Sequence, residues 1–134
     1  MYSAHATGKL GERIVFELLT GSEWNNEINE SRDYYDLLWE GIKIEVKTTR
    51  CKLRNGFQVS LRASQTGNTD VVFVVVGLDE DKRYYWVILN PRVHSSYVKL
   101  QDSIPVENLK QTIKDCFGSP YWNKEKRRKK NELV

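Results

Sequence analysis

The sequence predicts a mixed α/β domain, and three observations lead to that prediction. An amphipathic segment opens the chain, short segments of alternating polarity follow it, and the run VVFVVVGL occupies positions 71–78. A continuous apolar run of this kind is typical of a strand that is buried on both faces of a sheet. Because the chain has 134 residues, it is long enough to form one domain with its own core.

The first half of the chain predicts one helix and three strands. A helix is expected over 8–19, with Thr7 as its N-cap, because apolar residues recur there at helical spacing. Three strands are expected after it, over 33–39, 42–49 and 57–61.

The second half predicts a hairpin and a second helix. The strand over 71–78 is expected to turn back through 79–82 into a strand over 84–89. Pro105 begins a helix whose apolar stripe contains Val106, Leu109, Ile113 and Phe117. The predicted order is therefore α-β-β-β-β-β-α, with a mixed central sheet flanked by helices.

Composition excludes several classes of protein. No apolar run approaches the ~20 residues that a membrane-spanning helix needs, and the first residues lack the apolar core of a signal peptide. We therefore expect a cytoplasmic protein that does not contact membranes. Cys51 and Cys116 form no CxxC pair and are expected to be reduced, and the isolated His5 and His94 make a zinc site improbable.

Basic residues cluster in two places. The formal net charge is +3, yet the segment 124–130 carries six positive charges and one negative charge. A second cluster contains Lys43, Lys47, Arg50, Lys52 and Arg54. Basic runs indicate contact with nucleic acid or with an acidic membrane, although the tail is equally compatible with a solubilising role. We expect one domain over 1–120 and a basic C-terminal tail over 121–134.

The first predicted hairpin carries an unusual set of charges. If Glu40 and Gly41 form a two-residue turn, the numbers of opposed residues sum to 81. The pairs on one face are then all apolar, whereas Asp36 lies opposite Glu45 on the other face with Cβ atoms ~5 Å apart. Lys47 follows Glu45 on that face, ~6.6 Å along the strand.

Two carboxylates and one lysine on a small patch predict a site for a divalent cation. Magnesium prefers oxygen ligands, and a bound cation lowers the pKa of an attacking water. Lys47 is placed to orient that water or to stabilise the charge of a transition state. The alternative is an ion pair between Lys47 and a carboxylate on a solvated strand face.

Glu12 on the first helix points to the same patch. At ~100° per residue it projects from the apolar sector, where a carboxylate is costly unless it is paired, hydrogen-bonded or bound to metal. Gly8 and Gly11 lie on this side and are expected to let the helix approach the sheet closely. The alternative is a half-buried glutamate bonded to a backbone amide or to an arginine.

Together these residues resemble the motif of the PD-(D/E)XK nuclease superfamily, which has the restriction-endonuclease-like fold. Asp36 resembles its first acidic residue, Glu45-Val46-Lys47 its (D/E)-X-K triplet, and Gly8-Lys-Leu-Gly11-Glu12 the first helix of archaeal Holliday-junction resolvases and certain small homing endonucleases. The resemblance spans about residues 8 to 90. Tyr35 replaces the proline of the motif, and the segment expected to form the helix after the third strand is very short.

The resemblance implies an αβββαβ core and a metal-dependent endonuclease that hydrolyses DNA phosphodiesters. It implies that Mg²⁺, for which Mn²⁺ can substitute, is held by Glu12, Asp36, Glu45 and the carbonyl of Val46. Lys47 would position and activate the water. Gln65 resembles an auxiliary catalytic glutamine of some members, with Gln58 as its competitor and a plain loop residue as the alternative.

DNA contacts are expected from basic residues around and after this motif: Lys43, Arg50, Lys52, Arg54, Arg62, Lys126, Arg127, Arg128, Lys129 and Lys130. A chain of this size is expected to act as a homodimer or a higher homo-oligomer. Two other classes of function remain open. One is a non-catalytic DNA-binding module that retains the nuclease fold, and the other is a small interaction protein with a basic tail.

Overall fold

The computed structural model describes residues 4–24, 36–61, 71–88 and 96–117. Within these ranges the chain forms a mixed α/β structure whose helices are α1 (Ala4–Thr20) and α2 (Leu109–Phe117). Its strands are β1 (Leu37–Trp39), β2 (Ile42–Thr49), β3 (Lys52–Leu53), β4 (Gly56–Gln58), β5 (Val71–Asp79), β6 (Lys82–Ile88) and β7 (Tyr97–Lys99). Neither described helix is both long and apolar enough to cross a membrane.

The first hairpin has the predicted register. Leu37 pairs with Ile44 and Trp39 pairs with Ile42, so the partners sum to 81. These four side chains are buried in one core cluster, because successive residues of a strand point to opposite faces. The prediction that this face of the hairpin is apolar and meets the core is confirmed for the described residues.

The main sheet has four strands in the order β1-β2-β5-β6. β2 and β5 are parallel, and the other two pairings are antiparallel. Eight of the nine residues of β5 are buried, which confirms the prediction of a strand covered on both faces. β6 returns antiparallel to β5, as predicted for the second hairpin.

The two faces of the main sheet are covered differently. Both helices pack on one face, where Ile14 and Val15 of α1 and Leu109 and Ile113 of α2 share a core cluster. A small antiparallel sheet, in the order β3-β4-β7, covers the other face and buries Phe57 and Val98 against it, together with Phe73, Val75, Trp86 and Ile88. The predicted flanking by helices therefore holds for one face of the sheet.

The strand predicted over 57–61 has other bounds in the structure, and it is not part of the main sheet. β4 ends at Gln58, and it pairs with β3 and β7 instead of joining the main sheet. The reason is that β2 pairs with β1 along one edge and with β5 along the other. No edge of β2 is left for another strand, and the chain after Thr49 folds back over the face of the sheet.

Two predictions at helix ends are also wrong. α1 begins at Ala4, so Thr7 lies inside the helix, where its buried hydroxyl accepts a hydrogen bond from Arg50 Nε at 3.2 Å. Before α2, residues 106–108 form a separate 3₁₀ turn, and Val106 is 45% exposed. Because a 3₁₀ turn has three residues instead of 3.6, Val106 leaves the apolar stripe that Leu109 and Ile113 continue.

Candidate active site

Asp36 is held in place at the end of the first hairpin. It directly precedes β1, and its backbone N–H donates to the carbonyl of Ile44 at 2.9 Å. Its Oδ2 accepts a hydrogen bond from the N–H of Val46 at 2.8 Å. The carboxylate thus takes the place of a strand partner beside β2, one residue beyond the last register pair of Leu37 with Ile44. Its charge acts on Glu45, so the two carboxyl groups are neighbours, although the N–H of Asp36 departs from the register that would set the two residues directly opposite each other.

Glu45 and Lys47 form an ion pair that is largely shielded from water. Lys47 Nζ lies 3.6 Å from Glu45 Oε1, and the two side chains are 19% and 9% exposed. They pair with Phe73 and Val75 of β5, and they share the sheet face that the small sheet covers. The alternative of an ion pair on a solvated strand face therefore does not describe this pair.

Glu12 approaches Asp36 from helix α1. Its side chain is only 12% exposed, and Lys9 Nζ lies 3.6 Å from its Oε2, which makes no hydrogen bond to the described residues. The sequence did not predict this contact with Lys9, although side chains three residues apart on a helix are neighbours. The charge of Asp36 acts on both Glu12 and Glu45, so the structure brings the three predicted acidic residues together.

The close approach of α1 to β2 depends on Gly11. A Cβ atom at this position would lie 1.6 Å from Oγ1 of Thr48, a hydroxyl that is itself buried and makes no hydrogen bond to the described residues. A Cβ at Gly8 would meet nothing within 4 Å. The predicted role in close packing therefore holds for Gly11 and is wrong for Gly8, which lies on α1 away from the contact.

Burial and the crowding of carboxyl groups raise the pKa of two of them. Burial, and then the charge of Asp36, raises the pKa of Glu45 to about 8, and Lys47 only partly opposes this. The same two causes raise the pKa of Glu12 to about 7, against the opposing effect of Lys9. Since a metal ligand must be deprotonated, a cation that binds here would displace protons from these carboxyl groups at neutral pH.

Asp36 and Glu45 fit a magnesium ion by their chemistry and position. Mg²⁺ is usually held by one or two carboxylates and several waters, and two interacting carboxyl groups are neighbours here. The N–H of Val46 points to Asp36, and the carbonyl of a strand residue lies on the same edge as its N–H. No group of three or more His, Cys, Asp or Glu residues in the described ranges is arranged to hold a metal ion, so Glu12 as a third ligand stays a prediction.

The pH dependence of stability should report the burial of Glu45. Since its pKa rises from 4.5 to about 8 on folding, the folded state holds a proton that the unfolded state loses. The free energy of unfolding should therefore fall as pH rises between these two values. Replacing Glu45 by glutamine should flatten this fall, because glutamine does not ionise.

The measurement is urea unfolding of both proteins in EDTA at pH values from 5 to 9. The Glu12→Gln variant is the matched comparison. Its free energy of unfolding should fall less than that of the wild type over the narrower interval from pH 4.5 to about 7. Parallel curves for wild type and Glu45→Gln would contradict the burial of an ionisable Glu45.

The basic residues that follow the site have different surroundings. Arg50 donates to Thr7 on α1, and Lys52 forms an ion pair with Asp79 at 3.2 Å. Lys43 is half-buried on the same strand face as Glu45. These three side chains thus have contacts within the protein, and their predicted role in DNA binding stays a prediction.

Other predicted residues lie apart from the acidic site or outside the described ranges. Arg54 is exposed at the turn between β3 and β4. Gln58 is exposed on the small sheet, while its neighbour Phe57 points to the main sheet, so this competitor for the auxiliary role faces away from Lys47. Predictions that fall outside the described residues concern Arg62, Gln65, Lys126, Arg127, Arg128, Lys129 and Lys130.

The fold and this site define a mixed α/β protein with a lysine-flanked acidic cluster at one end of its first hairpin. No protein-family model matches the chain. No curated protein and no solved structure matches it at a significant level.

Proposed function

We propose that this protein is a metal-dependent DNA endonuclease that hydrolyses phosphodiester bonds. The observation that carries the proposal is the position of Asp36, which the N–H of Val46 holds where its charge acts on Glu45, with Lys47 Nζ 3.6 Å from Glu45 Oε1. This arrangement agrees with the PD-(D/E)XK motif that the sequence resembles. The restriction-endonuclease-like core is part of the proposal, because the small sheet makes the observed order of elements differ from a simple αβββαβ core.

The roles of the residues follow from their chemistry. Asp36, Glu45 and the carbonyl of Val46 would hold Mg²⁺ or Mn²⁺, and the cation would supply a Lewis acid for the phosphate and a water of lowered pKa. Lys47 would donate hydrogen bonds to that water or to the phosphate oxygens, where negative charge develops. Glu12, whose carboxyl group lies near Asp36, would be a third carboxylate ligand of the cation.

The proposed substrate is DNA, and the proposed assembly is a homodimer or a higher homo-oligomer, because one site cuts one strand and twofold symmetry is the commonest solution. Three substrate classes fit the proposal: a duplex site, a four-way junction, and a flap or damaged structure. A homing or restriction type of enzyme would require a particular duplex sequence, whereas a junction-resolving enzyme would recognise shape and cut four-way junctions of any sequence.

A cleavage assay tests the proposal. Purified protein is incubated with supercoiled plasmid and with a synthetic four-way junction, in magnesium or in EDTA. We expect cutting in magnesium only, and we expect Asp36→Asn to abolish it because the amide cannot replace the anionic ligand. DNA binding without cutting, together with a failure of Mn²⁺ to stabilise the wild type over Asp36→Asn, would instead indicate the non-catalytic DNA-binding module.

A further inference from the structure

A basic cleft lies on the small sheet, away from the acidic site. It has a volume of about 520 Å³ and is lined by Arg54, Asn55, Tyr97, Lys99, Leu100 and Gln101. Two of these residues are cations, two carry amide side chains, one is aromatic and none is acidic. The lining therefore combines positive charge, hydrogen-bond donors and a flat ring.

The two sides of this basic cleft are tied to each other through the backbone. The N–H of Leu100 donates to the carbonyl of Asn55 at 2.7 Å, and the hydroxyl of Tyr97 donates to the carbonyl of Leu53 at 2.6 Å. The turn that carries Arg54 is thus fixed against the strand that carries Lys99. Arg54 and Lys99 therefore lie on two segments that are hydrogen-bonded to each other in the absence of a ligand.

The ring of Tyr97 is also held against β4. A Cβ at Gly56 would lie 2.2 Å from the carbonyl oxygen of Val98 and 2.8 Å from Cζ of Tyr97. Only a glycine therefore leaves room for the ring at this distance. Gly56 pairs directly with Lys99, so the ring and the lysine lie on the same outward face of the small sheet.

The charges in the basic cleft are not balanced by any ion pair within the described part of the chain. Arg54 and Lys99 are exposed, and neither forms an ion pair with a described residue. A second cleft of similar volume, about 540 Å³, contains Arg83 together with Asp81 and so carries its own counter-charge. Unbalanced positive charge favours an anionic ligand for the cleft at Arg54.

We propose that the basic cleft binds the phosphate backbone of a DNA strand, with Arg54 and Lys99 on the phosphate and Tyr97 against the adjoining sugar or base. The identity of the ligand as DNA rests on the proposed function. The small sheet covers the same face of the main sheet that carries Glu45 and Lys47. A DNA strand engaged at the acidic site can therefore continue along this side of the molecule.

The test is DNA binding by fluorescence anisotropy with the full chain in EDTA, where cutting is absent. Arg54→Ala combined with Lys99→Ala should weaken binding at least about tenfold, because each charged hydrogen bond is lost. The slope of log affinity against log salt should fall by about one to two units, since each phosphate contact contributes about 0.9. The matched control is Lys82→Ala combined with Lys110→Ala, which removes the same charge from exposed positions outside the cleft.

The outcomes separate this inference from the proposed function. Weaker binding and a reduced salt slope in the cleft variant alone support the inference, even if the wild type never cuts DNA. Equal losses in the two double variants would overturn it, because nonspecific charge would then explain binding. Absence of DNA binding by the wild type would also overturn the inference. So would binding of inorganic phosphate in the cleft if the cleft variant kept the DNA affinity of the wild type.

Discussion

Under the proposed endonuclease function, replacing Lys47 by alanine is expected to lower the rate of DNA cutting at least about a hundredfold, the usual scale for losing one positioned acid-base or electrostatic group. The loss should fall on the chemical step. Lys47 lies beside Glu45, where its ammonium can reach a water or a phosphate oxygen held at the acidic site. DNA affinity should change only a few-fold, because one charge among many basic residues contributes little to binding.

The measurement is single-turnover cleavage at saturating DNA, together with DNA affinity in EDTA. Lys110→Ala is the matched control, since Lys110 is an exposed lysine on α2. Thermal unfolding must show that Lys47→Ala still folds, because the variant leaves Glu45 buried without its cation. A folded Lys47→Ala protein that cuts at the wild-type rate would remove Lys47 from the mechanism.

Replacing Gly11 by alanine is expected to lower the free energy of unfolding by about 1–3 kcal/mol, the usual cost of overpacking. The new Cβ would lie 1.6 Å from Thr48 Oγ1 and 2.8 Å from Thr48 Cβ, so α1 must move away from β2. This cost exceeds the gain of up to about 1 kcal/mol that alanine brings to a helix interior. Urea unfolding measures the change.

The same helix supplies the control for this prediction. A Cβ at Gly8 meets nothing within 4 Å, so Gly8→Ala should raise the free energy of unfolding by up to about 1 kcal/mol through helix propensity alone. Combining Gly11→Ala with Thr48→Ala should recover part of the loss, because the nearest clashing atom is then absent. Equal effects at the two glycines would show that α1 does not pack closely on β2 at Thr48.

A shift of α1 should also change the pKa of a carboxyl group in the acidic site. Glu12 follows Gly11 directly and comes close to Asp36 from this helix. Movement of α1 away from β2 therefore separates the two carboxylates and should lower the pKa of Glu12 towards its usual value. In EDTA, the part of the pH dependence of unfolding that Glu12 contributes should be smaller in Gly11→Ala than in Gly8→Ala.

The local features of the fold were predictable from the sequence. The register of the first hairpin follows from a two-residue turn and from the alternation of polar and apolar side chains, and both are properties of neighbouring residues. The position of Glu12 on the apolar side of its helix follows from helical periodicity. These patterns were sufficient to predict that Glu12, Asp36, Glu45 and Lys47 are close together.

The contacts between distant segments were not predictable in the same way. The small sheet forms because β5 occupies the second edge of β2, and this pairing joins residues that are far apart in the chain. Its formation places Gln58 away from Lys47 and creates the basic cleft between Arg54 and Lys99. Periodicity and turn residues describe only local geometry, whereas the choice of strand partners depends on competition for edges and on burial in the folded molecule. The acidic hairpin therefore follows from local sequence patterns, whereas the segments that cover each face of the sheet depend on contacts that form only in the folded molecule.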